Sequence, residues 1–291
     1  DDEVLQEVLA NESSDKMKNV VNTIQQEQNK VIRNLEDNNL IVQGIAGSGK
    51  TTLLRCITGI IRPQEGTIEK PFQIGYLPQT FGMYPELTIY EVLNYFATIK
   101  EISSVSREES IMSVLALVNL EEQASTKVGK LSGGMLRRLG IAQAILGNPE
   151  LIIFDEPTAG LDPEERLRFK NLISTIGRRH TILIATHIVD DIDSLCDNII
   201  ILNNGTVICE ETKEELQSRT EGCVYHTISQ EKSNLTTPYT ITSEKTENGI
   251  DYIRVLSPNH QPGTKLQPTL EDAYMFVIKG YYETRNNKNC I

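Results

Sequence analysis

An α/β fold with a mainly parallel, wrapped sheet is what this sequence predicts, on three observations. From residue 40 to about residue 208, short apolar runs alternate with amphipathic segments of helical period, the pattern of parallel strands joined by crossover helices. Within it, Leu40-Ile41-Val42 leads into Gly44-Ile-Ala-Gly47-Ser48-Gly49-Lys50-Thr51-Thr52 and on to Leu53-Leu54, which reads as strand, glycine-rich turn and helix. After about residue 220 the texture changes to short β-like runs between Ser, Asn, Pro and Gly, which predicts a small appended α+β domain over 221–291.

Residues 1–36 read as helical. Val4, Leu5, Val8 and Leu9 form one apolar stripe, and Met17, Val20, Val21 and Ile24 another at helical spacing. Ser13 or Ser14 would cap the second helix, and Thr23 to Gln26 forms a capping box for a third. Asp37-Asn38-Asn39 turns into the strand Leu40–Gln43. A helix over Thr52–Ile61 is closed by Pro63 and Gly66, and short strands follow at Gly66–Glu69 and Ile74–Leu77. Helices are expected near 88–98 and 106–118, another beginning at Leu131–Met135, and a buried strand at Leu151–Phe154. Beyond these come a helix over about 163–177, a strand over 181–186 and a strand pair near 198–208 turning at Asn204-Gly205. In the last domain, Val224–Ile228, Tyr239–Thr242 and Tyr252–Leu256 read as strands and Leu270–Gly280 as a closing helix.

A chain of 291 residues with a formal charge of −12 has ample core for independent folding. That charge argues against a nucleic-acid-coating protein. Five cysteines lie scattered without C-x-x-C spacing, three of them in apolar runs, which points to reduced thiols and a cytosolic compartment. No stretch approaches the about 18 apolar residues a membrane helix needs, and the acidic start is unlike a signal peptide, so membrane association is expected only through a partner.

Gly44, Gly49, Lys50 and Thr51 fit the G-x-x-x-x-G-K-[ST] phosphate loop. Backbone amides from Gly47, Ser48, Gly49 and the helix start at Lys50 to Thr52 would surround the β- and γ-phosphates of a nucleoside triphosphate. Lys50 would bridge those phosphates and the Thr51 hydroxyl would hold Mg²⁺. Downstream, Leu151-Ile-Ile-Phe-Asp155-Glu156 is an apolar strand ending in two carboxylates. Asp155, at the carboxyl edge beside the loop, can hold Mg²⁺, and Glu156 can orient and deprotonate the attacking water.

Leu131-Ser132-Gly133-Gly134-Met135 precedes a helix, so Ser132 and the amides of Gly133 and Gly134 form a second anion site at a helix N-terminus. One phosphate group does not need two such sites in one subunit. Two subunits meeting head to tail, each closing the other's nucleotide, would use both.

From Lys50 to about residue 215 the chain resembles the nucleotide-binding subunits of ABC transporters, of the bacterial exporter type whose ATPase is a polypeptide separate from its membrane channel. The motifs that carry the resemblance are, in order, the phosphate loop, a glutamine loop at Gln79, LSGGM at 131–135, Asp155-Glu156, the turn Ala159-Gly160-Leu161-Asp162, and His187 after Ala185-Thr186. In isolation the weaker three would be a loop glutamine, a helix-capping aspartate before Pro163 and a strand-end histidine. Together the motifs imply a P-loop NTPase of the ABC type over 38–220, with a helical subdomain over about 84–147. They imply that Gln79 contacts Mg²⁺ or water, that Asp162 bridges a dimer interface and that His187 holds the γ-phosphate. They also imply a transmembrane permease partner, a second ATPase subunit in a homo- or heterodimer, and a place at the inner face of the cell membrane. Pro268-Thr-Leu-Glu-Asp-Ala-Tyr274 resembles the tail of these exporter subunits.

The beginning resembles a different family. Asn19 to Arg33, leading into Leu40 to Thr51, is similar to the amino terminus of superfamily-one DNA helicases of the helicase IV type, in which a glutamine upstream of the loop reads the adenine edge; Gln28 matches its position. ABC ATPases begin with an antiparallel β layer carrying an aromatic that stacks on adenine, whereas the first aromatic here is Phe72. This implies a chimera in which residues 1–51, helical over 1–37, are helicase-like and the rest ABC-like, joined inside Gly47–Thr52. Losing the stack would cost about 0.5–1.5 kcal/mol of adenine binding. A helicase-like DNA-dependent ATPase, or a chimera with impaired nucleotide binding, is the alternative.

Overall fold

Asn39–Gly44 forms β1, and in the computed structural model it pairs in parallel on both sides, with Thr181–Thr186 (β4) and Asn198–Asn203 (β5). The structure describes residues 39–44, 47–63, 68, 73–189, 195 and 198–281. The helices expected before residue 37, Gln28, Phe72, the acidic residues Asp190, Asp191 and Asp193, and most of the strand expected at Gly66–Glu69 lie outside the described residues.

The chain divides into two compact units, Asp1–Val207 and Ile208–Ile291. In the first, Ile74–Leu77 (β2), Leu151–Asp155 (β3), β4, β1, β5 and the first residues of Thr206–Thr212 (β6) lie side by side in the order β2-β3-β4-β1-β5-β6. From β2 to β5 the pairing is parallel throughout. Because β4 lies between β1 and β3, the loops leaving β1 and β3 open beside one another at the carboxyl edge, where such sheets bind ligands. The β5–β6 turn is made by Asn204 and Gly205, both at positive φ (49° and 79°), as the Asn-Gly pair predicts for a two-residue hairpin.

Lys50–Thr58 (α1) covers one face of this sheet. Leu53, Leu54 and Ile57 pack against Val42, Leu183, Ala185, Ile200 and Leu202. The helix ends sooner than the expected Ile61, because Gly59 adopts the left-handed conformation (φ 78°) and its N–H closes on the Cys56 carbonyl. Elsewhere in this unit Pro163–Ile176 (α5) brings Phe169 edge-on against Phe154 of β3, with ring centroids 5.7 Å apart.

Between β2 and β3 in sequence, Ile89–Ile99 (α2), Arg107–Leu117 (α3) and Gly133–Ile145 (α4) pack on each other, burying Val92, Leu93, Ile111, Leu115 and Leu139. A reciprocal capping box between Thr88 and Glu91 starts α2, and Ser132 caps α4.

In the second unit Val224–Ile228 (β7), Thr240–Glu247 (β8), Ile250–Leu256 (β9) and Thr264–Lys265 (β10) form an antiparallel sheet in the order β10-β7-β9-β8. Two short helices, Lys213–Ser218 (α6) and Leu270–Ile278 (α7), belong to the same unit. Strand alternation separates two clusters. Val224 and Leu256 meet Phe276 of α7 and Tyr281, while Tyr225, Ile253 and Val255 meet Leu235, Tyr239 and Ile241. Asp272, on the tail segment resembling the exporter subunits, is buried. Its carboxylate caps α7 through Thr269 and accepts from Arg254 Nε at 3.0 Å.

Candidate active site

The phosphate loop needs glycine for two separate reasons. Gly47 and Gly49 sit at φ 82° and 96°, where a side chain is strained. Gly44 has ordinary φ but no room: a Cβ there would stand 2.3 Å from Ser48 Oγ and 2.6 Å from the Leu202 carbonyl. Ser48 and Lys50 are buried, Thr51 and Thr52 partly so, in the first turn of α1. Lys50 Nζ donates to the Gly44 carbonyl and faces Glu156 Oε1 at 3.6 Å. Burial pushes this ammonium down from its ordinary pKa, against the pull of Glu156 and then Asp155.

At the end of β3, Asp155 is 1% exposed and accepts from Thr51 Oγ1 at 3.3 Å. Burial raises its pKa, and the Thr51 bond works the other way. Asp155 Oδ2 and Ser48 Oγ are buried without hydrogen-bond partners among the described residues. The orphaned carboxylate oxygen of Asp155, with the Thr51 hydroxyl bonded to the other oxygen of the same group, fits Mg²⁺, which takes oxygen ligands from carboxylates and substrate phosphates. Glu156 is held at φ 47°, a left-handed conformation uncommon for a side chain of its size, by its N–H donating to the Ala185 carbonyl at 2.8 Å. Its Oε2 lies 2.8 Å from His187 Nδ1, at the end of β4.

A second set of residues lines an open cleft of about 530 Å³: Gln79, Ser132, Gly133, Gly134 and Asp162. Ser132 Oγ accepts from Met135 N at 3.2 Å, and Asp162 Oδ1 from Glu165 N at 2.8 Å, each capping its helix. Gly133 faces open space, whereas a Cβ on Gly134 would meet the Glu165 side chain at 2.8 Å. Gln79 is exposed and stands with this set, while Lys50, Thr51, Asp155, Glu156 and His187 make the first. The cleft also admits Arg137, a residue that no sequence motif singles out.

The profile of the ABC transporter family matches residues 35–159. Nod factor export ATP-binding protein I of Cupriavidus metallidurans is 34% identical over 218 residues, 70% of this chain and 72% of that protein. The chain belongs to the ABC transporter ATP-binding family. An ABC transporter ATP-binding protein of Bacillus subtilis is 34% identical over 65% of this chain and 66% of its own. The chain thus spans about two-thirds of these relatives' length. Among solved structures, an ATP-binding subunit of an ABC transporter superposes with TM-score 0.56 at 29% identity, over 62% of this chain and 81% of that one. A bacterial ABC transporter cassette solved as a dimer gives 0.54 at 28%, over 60% and 86%. The ABC profile begins before β1, and the comparisons lend no support to the helicase-like reading of residues 1–51. Among the described residues, no helix is long and apolar enough to cross a membrane.

Proposed function

We propose that this chain is the ATP-hydrolysing subunit of an exporter, working as a homo- or heterodimer beneath a separate transmembrane permease at the cytoplasmic face. The observation that carries the reading is Glu156, whose two oxygens face His187 and Lys50 beside the phosphate loop. ATP phosphates would take the loop amides of Gly47 to Thr52, and Lys50 would turn from Glu156 to bridge the β- and γ-phosphates. Thr51 and Asp155 would hold Mg²⁺, with Gln79 contacting the ion or a water; the ion would supply neutralisation of the phosphate charge. Glu156 then takes a proton from the water attacking the γ-phosphorus, the bond to the β-bridging oxygen breaks, and ADP leaves with phosphate. His187 orients Glu156 and holds the γ-phosphate.

Ser132, Gly133, Gly134 and Asp162 line a cleft whose walls include none of Lys50, Thr51, Asp155, Glu156 and His187, which supports the head-to-tail dimer in which they close a neighbour's nucleotide. The export ATP-binding relatives support the direction of transport. The domain division at 38–220 and 221–291, with a helical subdomain over 84–147, belongs to the same reading, as does an adenine contact through Gln28.

ATPase activity of the purified chain, with and without candidate permeases, tests this. Glu156→Gln is expected to keep ATP bound and dimers trapped while turnover falls about 100-fold or more. Unaltered turnover would sink the assignment, and stimulation by DNA with unwinding would turn the reading toward a helicase.

A further inference from the structure

Arg137 lies in the first turns of α4, next to Arg138, and the two do different things. Arg138 reaches the Val118 and Asn119 carbonyls at the end of α3 and faces Glu165. Arg137 points the other way, into the cleft that holds Gln79 and Ser132. Its guanidinium makes five hydrogen bonds, all to backbone carbonyls. Nε donates to Pro157 at 2.8 Å; Nη1 to Pro78 at 3.2 Å and Gln79 at 3.1 Å; Nη2 to Asp155 at 3.2 Å and Glu156 at 2.6 Å.

Resting on the ATPase reading above, we infer that Arg137 is a positioning residue for hydrolysis: one planar guanidinium clamps the backbone of Asp155–Pro157, which aims the general base, to that of Pro78–Gln79. The planar fork can serve five acceptors at fixed angles, and an ammonium cannot. The three carbonyls on one side flank Glu156, whose left-handed φ of 47° persists only while its surroundings enforce it. The two on the other side fix the backbone that carries Gln79. Motion of the glutamine loop therefore reaches Glu156 through Arg137, and the carboxylate is aimed only when that loop is seated.

The test uses the full chain, with Arg137→Lys and Arg137→Met compared with wild type. A loss of aim costs turnover rather than nucleotide affinity. Expected is a fall in kcat of about 10- to 100-fold in Arg137→Met and a smaller fall in Arg137→Lys, with KM for ATP and fluorescent-nucleotide affinity within about twofold. Hydrogen exchange adds a readout independent of hydrolysis: amides over 155–159 and 78–81 should speed up together in both variants, while β4 and β9 keep wild-type protection. Unchanged kcat in Arg137→Met, or exchange rising in one loop alone or in neither, overturns the inference. A general rise that includes β9 reports unfolding of Arg137→Met, and Arg137→Lys then decides. A wild type that fails to hydrolyse ATP would defeat the ATPase reading, and the exchange result would still judge the clamp.

Discussion

His187 Nδ1 lies 2.8 Å from Glu156 Oε2, and Lys50 Nζ lies 3.6 Å from Oε1 of the same carboxylate. Two residues, His187 just after β4 and Lys50 at the start of α1, thus converge on one carboxylate at the end of β3. On the proposed ATPase reading the lysine would turn to phosphate once ATP arrives, and the histidine would remain to hold the base. His187→Ala is expected to lower kcat by about 10²-fold or more while ATP affinity changes little. Steady-state ATPase assays beside nucleotide titrations would check it, and an equal loss in both would assign His187 to binding instead.

Gly44→Ala tests the close approach of β1, the loop and β5. The Ser48 hydroxyl, 2.3 Å from the added Cβ, can rotate away, but the Leu202 carbonyl at 2.6 Å is sheet backbone and has to shift. The expected cost is about 1–3 kcal/mol in urea unfolding, together with weaker ATP binding as Ser48 is displaced. Gly47→Ala meets no atoms within 4 Å, so its cost is limited to backbone strain at φ 82°, about 1–2 kcal/mol. If Gly47→Ala proves the more damaging to stability, crowding is not what Gly44 prevents.

The phosphate loop and the strand-end carboxylates are legible in the sequence because their chemistry dictates residue type at fixed spacing. Ile74–Leu77, Thr181–Thr186 and Val224–Ile228 fall where the apolar runs predict, since each run is bounded by polar or turn residues. The end of α1 departs from the apolar pattern because Gly59 stops a helix inside an apolar stretch, and only its left-handed φ reveals it. Arg137 is invisible in the sequence for another reason. Its acceptors are backbone carbonyls far away in sequence, and any residue supplies a carbonyl. Asp272 is hidden for a different reason: its side-chain partner Arg254 is brought to it only by the folding of β9.

Gln43 precedes the loop in β1, in register with Thr186 on one side and Ile201 on the other. It is fully buried, and neither its amide nitrogen nor its amide oxygen has a hydrogen-bond partner among the described residues. An unsatisfied buried amide costs about 1–3 kcal/mol, and a leucine of similar volume does not incur that cost. Gln43→Leu is therefore expected to raise the urea midpoint with an unchanged m-value. A lower midpoint would mean that Gln43 has a partner in the folded protein in solution.

Lys100, at the end of α2, donates from one ammonium to three carbonyls at the end of α4: Gln143 at 2.7 Å, Leu146 at 2.8 Å and Ala144 at 3.2 Å. It thereby anchors the far end of the helix that begins at Ser132. Burial pushes its pKa from 10.5 down to about 8. Below pH 8 both folded and unfolded chains carry the proton, and this group adds no pH dependence. Between about 8 and 10.5 the unfolded chain binds more protons than the folded one, so the group's contribution to stability rises with pH, by up to about 1.4 kcal/mol per unit. Lys100→Met removes that term along with the three hydrogen bonds. The stability difference between wild type and Lys100→Met should therefore be flat below pH 8 and grow in favour of wild type toward pH 10. Urea unfolding of both proteins at half-unit steps from pH 6.5 to 10 measures it. A difference that stays flat throughout would show that the three carbonyls and the helix C-terminal dipole offset burial and hold the ammonium near its ordinary pKa.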